Sequence, residues 1–240
     1  MIRKPKFRLN WKYALGEVVL IFLGISLALA FQTWNEQRKN KIERDRILKN
    51  LQFELKKDST AYEEILGLLE DRELRIQRIL NYLETPPSSL DSAQFIISLM
   101  RAGYITSYVP NFSVYKELIG SGKLTLIESG EVKLALADFM SSVDREIRLG
   151  DNYYPFSKEL EKLALSHLSK VPEVIGYINT PPPSHRKIRF DLFEMSKDEE
   201  LRSALLMSLY STRVERTFQS GEVLVKLTSL LQLLNHTIQK

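Results

Sequence analysis

The sequence reads as an all-α protein. An N-terminal transmembrane helix continues into a long amphipathic helix, which packs in a helical-bundle soluble domain. Three observations point there. Val18–Phe31 is a continuous apolar run, and Glu17 is the one charged residue from Tyr13 to Phe31. No proline occurs between Pro5 and Pro86. Beyond the run, Leu48, Leu55, Tyr62, Leu69, Ile76 and Leu83 recur every seven residues, a helical period. The chain divides into a basic tail over 1–12, a transmembrane helix over 13–34, a long amphipathic helix over 35–84 and a helical domain over 85–240 that packs with it.

The charge distribution supports the first boundary. Residues 1–49 hold eleven Lys/Arg and four Asp/Glu, a balance of +7, within a chain whose net charge is only +4. The remaining 191 residues are therefore net acidic, at −3. A nucleic-acid binder carries its basic face on the folded part. Here the cations flank the apolar run, where anionic headgroups lie, so the expected partner is a lipid bilayer and no nucleic acid. The absence of cysteine excludes disulfides, thiolate nucleophiles and cysteine metal sites.

Trp11 and Trp34, the two tryptophans of the chain, bracket the run as interfacial anchors. The twenty-three steps between them span about 34 Å as a helix, close to a hydrocarbon core with its interfaces. A cleaved signal peptide fits less well, because Phe31-Gln32-Thr33-Trp34 lacks small residues at a cleavage point. A soluble core helix fits less well still, since its ends would not be this basic. Glu17, Gly24, Ala28 and Gln32 fall on one face, as their spacings of seven, four and four require. That face is a candidate for a partner helix, another copy or a different subunit; headgroup contact by a shallow Glu17 is the plainer alternative.

The long helix is expected to run unbroken from about Tyr13 to about Glu84, with a kink near residues 58–60 where Thr60-Ala61-Tyr62-Glu63 resembles a capping box. The companion heptad positions are Leu51, Ile65 and Ile79, but also Asp58 and Arg72. Those two do not suit a strict coiled coil. With Leu66, Leu68 and Leu80 the stripe widens, as it does inside a bundle. A turn follows at Thr85-Pro86-Pro87-Ser88-Ser89, then a helix over 91–101. Asn111 is expected to cap a helix over 112–120 that Gly120-Ser121-Gly122 ends. Val132, Leu136, Phe139, Met140, Val143 and Ile147 mark the next helix, and Ser157–Ser169 a further one. Residues 170–197 are the least regular, with Pro181-Pro182-Pro183 and a strand at Lys187–Phe193. Ser196-Lys197-Asp198-Glu199 reads as a capping box for the last helices, whose face carries Val223, Leu227, Leu230, Leu231, Leu234 and Ile238.

Motifs for chemistry are incomplete. Gly120-Ser121-Gly122-Lys123 has Glu117 and Leu124 where a phosphate-binding loop needs glycine and Ser or Thr. Ser113-Val114-Tyr115-Lys116 has SxxK spacing without the companion motifs of serine acylating enzymes. His167, His185 and His236 have no partner at metal-ligand spacing. No catalytic residue, cofactor or metal site is expected. Tyr104, Tyr108, Phe112 and Tyr115, with Tyr153 and Tyr154, could line a pocket or partner surface, or form core between the short helices and the long one.

Trp11-Lys12-Tyr13-Ala14-Leu15-Gly16-Glu17, Ile25-Ser26-Leu27-Ala28-Leu29-Ala30-Phe31 and Trp34-Asn35-Glu36-Gln37-Arg38-Lys39 form one hallmark. Tyr115–Leu124 followed by Leu126-Ile127 forms a second. Together they resemble an uncharacterised bacterial family of single-pass, N-terminally anchored helical membrane proteins. The likeness covers most of residues 11–140; Gln32 and Thr33 depart from the asparagine-rich pattern expected before the tryptophan. The resemblance implies an anchored helical protein of the bacterial envelope and supplies no activity. The expectation is a non-enzymatic single-pass protein of the bacterial inner membrane: an accessory subunit, scaffold or tether that meets a protein partner, or its own copy, through the transmembrane and long helices. The first alternative is a sensory module that binds a ligand in the bundle; a hydrolase comes third. The five unopposed cations before the run favour a periplasmic domain over the six after it.

Overall fold

The structure, a computed structural model, describes residues 11–86, 92–104, 108–110, 112–169 and 192–239. Most of the basic tail, the Asn111 cap, Pro87-Ser88-Ser89, Pro181-Pro182-Pro183, His185 and the expected strand up to residue 191 lie outside these residues. Within them the chain is all-helical. The elements are α1 (Trp11–Glu84), α2 (Ser92–Ala102), α3 (Ser113–Gly120), α4 (Gly130–Ser169), α5 (Leu192–Ser196), α6 (Glu199–Phe218) and α7 (Leu224–Ile238). A 3-10 turn at Lys123–Leu126 precedes α4, and a π-turn at Gln219–Val223 joins α6 to α7.

Side-chain pairs along α1 give the topology. Arg202 at the start of α6 binds Glu84, Arg213 binds Glu73, and Asn235 in α7 meets Gln52. So α6 and α7 run antiparallel to α1. The other ascending limb is α4, with Glu146 against Tyr62 and Ser157 against Arg72. The second descending limb is formed by α2 and α3 with the chain between them, whose Tyr108 and Ser113 meet Asp58 and Glu54. The result is an up-down-up-down bundle; in this limb the described residues 103–104, 108–110 and 112 are not helical.

The heptad expectation holds. Leu48, Leu55, Tyr62, Leu69, Ile76 and Leu83 are all buried, and so are Leu51, Ile65 and Ile79. Two apolar clusters result. The lower joins Leu51 and Leu55 to Phe139, Leu227 and Leu230; the upper joins Ile76 and Ile79 to Phe95, Leu160 and Leu205. Below Glu43, whose carboxylate pairs with Lys123, α1 leaves the bundle. Among the described residues it is the one helix apolar and long enough to cross a membrane, and none of its apolar stretch is buried.

The expected continuity of the long helix holds: α1 stays helical through 58–60, where the Thr60 hydroxyl donates back to the Lys56 carbonyl at 3.2 Å. Several local expectations need correction. Leu68 is exposed and does not widen the stripe, whereas Leu66 and Leu80 are half-buried. The helices expected around 132–147 and 157–169 are one element, α4, with Pro155 inside it. Proline removes the bond to the Asp151 carbonyl, but Val143 before it and Leu160 after it are fully buried and hold both halves in line. Ile147 is 38% exposed. Leu192 and Phe193 begin α5 and are not strand. The cap of α6 is Asp198, whose carboxylate accepts from the Leu201 N–H at 2.9 Å.

Candidate functional site

Between the two apolar clusters the bundle is polar. Each long helix changes character at the same height. In α1 the heptad stripe is interrupted by Asp58 and Arg72, 3% and 6% exposed. In α4 it is interrupted by buried Glu146 and Ser157. In α6 and the π-turn it is interrupted by buried Ser208, Ser211, Thr212 and Gln219, with half-buried Glu215. In the fourth limb the residues described at this height, Tyr108 and Val109 among them, are not helical. A cavity of ≈ 210 Å³ opens at this gap, lined by Arg72, Tyr108, Val109, Glu146, Ile147, Gly150, Asp151, Tyr153, Tyr154, Ser157, Ser211 and Glu215. Two helix irregularities flank it. Pro155 leaves the Asp151 carbonyl without its helical donor, and the π-turn carries Gln219 inward.

The polar groups are held in place. Tyr62 donates to Glu146 Oε2 at 2.9 Å and Gln219 to Glu146 Oε1 at 2.6 Å. Tyr108 donates to Asp58 Oδ1 at 2.5 Å and packs its ring edge-on against Tyr62. Asp58 Oδ2 and Gln219 Oε1 are buried without a partner. Arg72 donates through Nε to the Ala102 carbonyl at 2.9 Å and through Nη2 to Ser157 Oγ at 2.6 Å. The first bond places a cation at the C-terminal end of α2, where the helix dipole favours it. Close approach makes that end tight: a Cβ on Gly103 would stand 2.9 Å from the Glu161 Cα.

Burial dominates the electrostatics. It lowers Arg72, with Glu215 acting against the shift. It pushes the Glu215 carboxyl up to about 7, opposed by Arg72 and assisted by Glu146. It raises Glu146, against the hydrogen bonds from Tyr62 and Gln219, and raises Asp58, against the bond from Tyr108. Glu215 thus changes charge near neutral pH inside a cavity that also holds a guanidinium. Such an arrangement can bind and orient a small polar molecule and can exchange a proton with it.

The aromatics singled out in the sequence are divided by the fold. Tyr108 lines the cavity. Phe112 and Tyr115 pack on the lower cluster, Phe112 edge-on to Phe139 at 5.8 Å. Tyr104 is 69% exposed and stands apart from them. Tyr153 and Tyr154 lie on α4 at the cavity wall. The Glu17, Gly24, Ala28 and Gln32 face is exposed on α1, as are Trp11 and Trp34; Gln32 donates to Glu36 at 3.1 Å, and Arg38 lies over the Trp34 ring.

The short motifs resolve into local structure. Ser113 gives both its N–H and its hydroxyl to Glu54, and the Val114 N–H goes to the same carboxylate at 2.9 Å, so α1 caps α3. Gly122 ends α3 at a φ of 70°, and Lys123 binds Glu43 of α1 at 2.8 Å, holding that carboxyl below its ordinary range. His167 binds Asp198 at 2.6 Å. Among the described residues no three His, Asp or Glu side chains converge as a metal site.

Glu146, Glu215 and Gln219 were not picked out from the sequence. The signal was present: Glu146 follows Val143 at helical spacing, and Gln219 precedes Val223 in the same way. Stripes aligned across the three helices would have shown a common polar level.

Comparison with known proteins adds a family. No curated protein and no solved structure matches the chain. The model of a family of unknown function (DUF6090) matches residues 17–170. That stretch carries Asp58, Tyr62, Arg72, Tyr108, Glu146 and Ser157, while Ser211, Glu215 and Gln219 lie beyond it. Because the match takes in well over half of the 240 residues, the chain belongs to this family of unknown function.

Proposed function

We propose that the chain is a non-enzymatic, single-pass protein of the bacterial inner membrane that serves a membrane complex as accessory subunit, scaffold or tether. The observation that carries this reading is the continuity of α1. Its first part is apolar on all sides and wholly exposed, and its later part is the spine of the bundle. A helix apolar all round belongs in lipid or in a core, and none of the described residues covers it. From Trp34 to Glu84 the helix reaches about 75 Å, so it holds the bundle upright over the bilayer.

Partner contact is assigned to the face of Glu17, Gly24, Ala28 and Gln32. Gly24 has open space around its Cβ position, so a second helix can approach closely there. The domain is assigned to the periplasm because Arg3, Lys4, Lys6, Arg8 and Lys12 precede the run without an acidic residue among them. Mild-detergent affinity purification of the full chain tests the role. A defined set of co-purifying membrane proteins is expected, reduced by Gly24→Leu at unchanged membrane levels. Recovery of the chain alone in both forms, with no self-crosslinking, would overturn it.

The cavity favours a second reading, a ligand-binding sensory module. Arg72 stands on α1 itself, so a molecule bound against it touches the helix that runs into the proposed span.

A further inference from the structure

We propose that the mid-bundle cavity binds a small zwitterion of free amino-acid size, its carboxylate on Arg72 and its ammonium group on Glu215. The proposal deepens the sensory reading and is independent of the anchoring role.

Three features define the ligand. Arg72 is 6% exposed, and among the described residues its Nη1 has no hydrogen-bond partner, although Nε and Nη2 are both engaged. A buried guanidinium with a free fork arm at a cavity wall is a carboxylate site. Glu215 faces the same cavity and, among the described residues, has no side-chain hydrogen bond and no ion pair to Arg72, although each feels the other's charge. Opposite charges held apart across a cavity leave room for a molecule that carries both.

Charge balance narrows the class. The cavity holds one guanidinium against the carboxyls of Glu146, Glu215 and Asp151. A plain anion would meet Arg72 but also face carboxyls that burial already raises. A plain cation would leave Arg72 unneutralised in a poorly solvated place. Tyr153, in the same wall, supplies aromatic surface suited to an ammonium group. The volume of ≈ 210 Å³ matches about seven water molecules and lies below the roughly 300–1,000 Å³ of drug-sized pockets. Gly150 sits in the wall, and a Cβ there would meet nothing within 4 Å. No packing contact demands glycine at this helical position, and its absence of side chain keeps the cavity open.

The test is thermal unfolding and titration calorimetry of the full chain in mild detergent. The probes are the twenty free amino acids and, for each one that binds, two analogues that lack the ammonium or the carboxylate. At least one amino acid is expected to raise the unfolding temperature by about 5 °C at a hundredfold excess over its Kd. Each single-charge analogue should bind at least tenfold more weakly. Glu215→Gln should weaken binding about tenfold. Gly150→Leu should abolish it, and because leucine is the better helix former its own unfolding temperature should not fall. The proposal is overturned if no amino acid stabilises the wild-type chain. It is equally overturned if a single-charge analogue binds as tightly, or if binding survives unchanged in Gly150→Leu and Glu215→Gln. None of these results bears on membrane integration, which is read separately.

Discussion

The two halves of α1 use the same residues in different company. Leu20 and Leu27 are 71% and 70% exposed, whereas Leu55 and Leu69 are each 1% exposed, in one unbroken helix. Helix propensity does not separate them, since leucine favours both halves equally. What separates them is the distribution of apolar residues around the axis. In the later half they form one stripe, with charges on the outer face, and the stripe is covered by α4, α6 and α7. In the earlier half they surround the helix, so no single protein face could satisfy them. The change comes between Trp34 and Ile47, where Arg38, Lys39, Lys41, Arg44 and Arg46 cluster.

One substitution made in each half should therefore fail in different ways. Leu69→Asp puts a carboxylate into the bundle interior and should cost about 4 kcal/mol or more, read as loss of cooperative thermal unfolding. Leu23→Asp should leave the bundle's unfolding unchanged and lower the carbonate-resistant membrane fraction, since a charge at mid-span costs about 3 kcal/mol. Equal destabilisation of the bundle by both would mean that the two halves share one environment. The next largest effect is at Arg72. Arg72→Leu strands the Ala102 carbonyl and Ser157 and leaves Glu215 without its cation, which should cost about 3 kcal/mol. Adding Glu215→Leu should restore part of that loss.

Glu215 gives a pH signature of unusual sign. Its carboxyl is raised from 4.5 to about 7, so between those values the folded chain holds a proton that the unfolded chain has released. Its contribution to stability is complete below about pH 4.5 and is lost as pH rises through 7. Glu215→Gln should therefore match the wild type near pH 4.5 and exceed it at pH 8 by about 2 kcal/mol, allowing for partial solvent screening. A variant less stable than wild type at pH 8 would contradict this. The smallest effect is at the lower end of the bundle. Glu54→Ala removes the cap that α1 provides for α3 and should cost about 1 kcal/mol, with faster amide exchange at Ser113 and Val114.

The architecture was legible because periodicity reports faces. Seven-residue spacing from Leu48 to Leu83 was enough to find the spine, and the apolar run was enough to find the exposed end. Residues 132–147 and 157–169 read as separate helices, yet packing on both sides carries α4 through Pro155, a residue type that normally ends a helix. Ser196 was favoured as a cap over Asp198 because the sequence does not show that His167 and the Leu201 N–H converge on Asp198. The cavity was half legible. Asp58 and Arg72 stood out as polar residues in apolar heptad positions. Arg72 lies 85 residues from Ser157 and Asp58 lies 50 from Tyr108, and no local pattern links such distances. Tyr108 and Val109, which line the cavity from the fourth limb, are not helical, and no periodic pattern marks them.

A cysteine-free chain permits the decisive measurement. Single cysteines placed in turn at residues 18–31 and 62–75, spin-labelled in native membranes, report oxygen and nickel accessibility along α1. The account predicts no nickel access at any position from 18 to 31, with oxygen access throughout except on the Gly24 and Ala28 face, which a partner helix covers. Over 62–75 it predicts a 3.6-residue period, with labels at 62, 65, 69 and 72 shielded from both reagents. Nickel access within 18–31, or shielding there confined to one helical stripe with water on the opposite face, would contradict a helix that passes from lipid into the bundle.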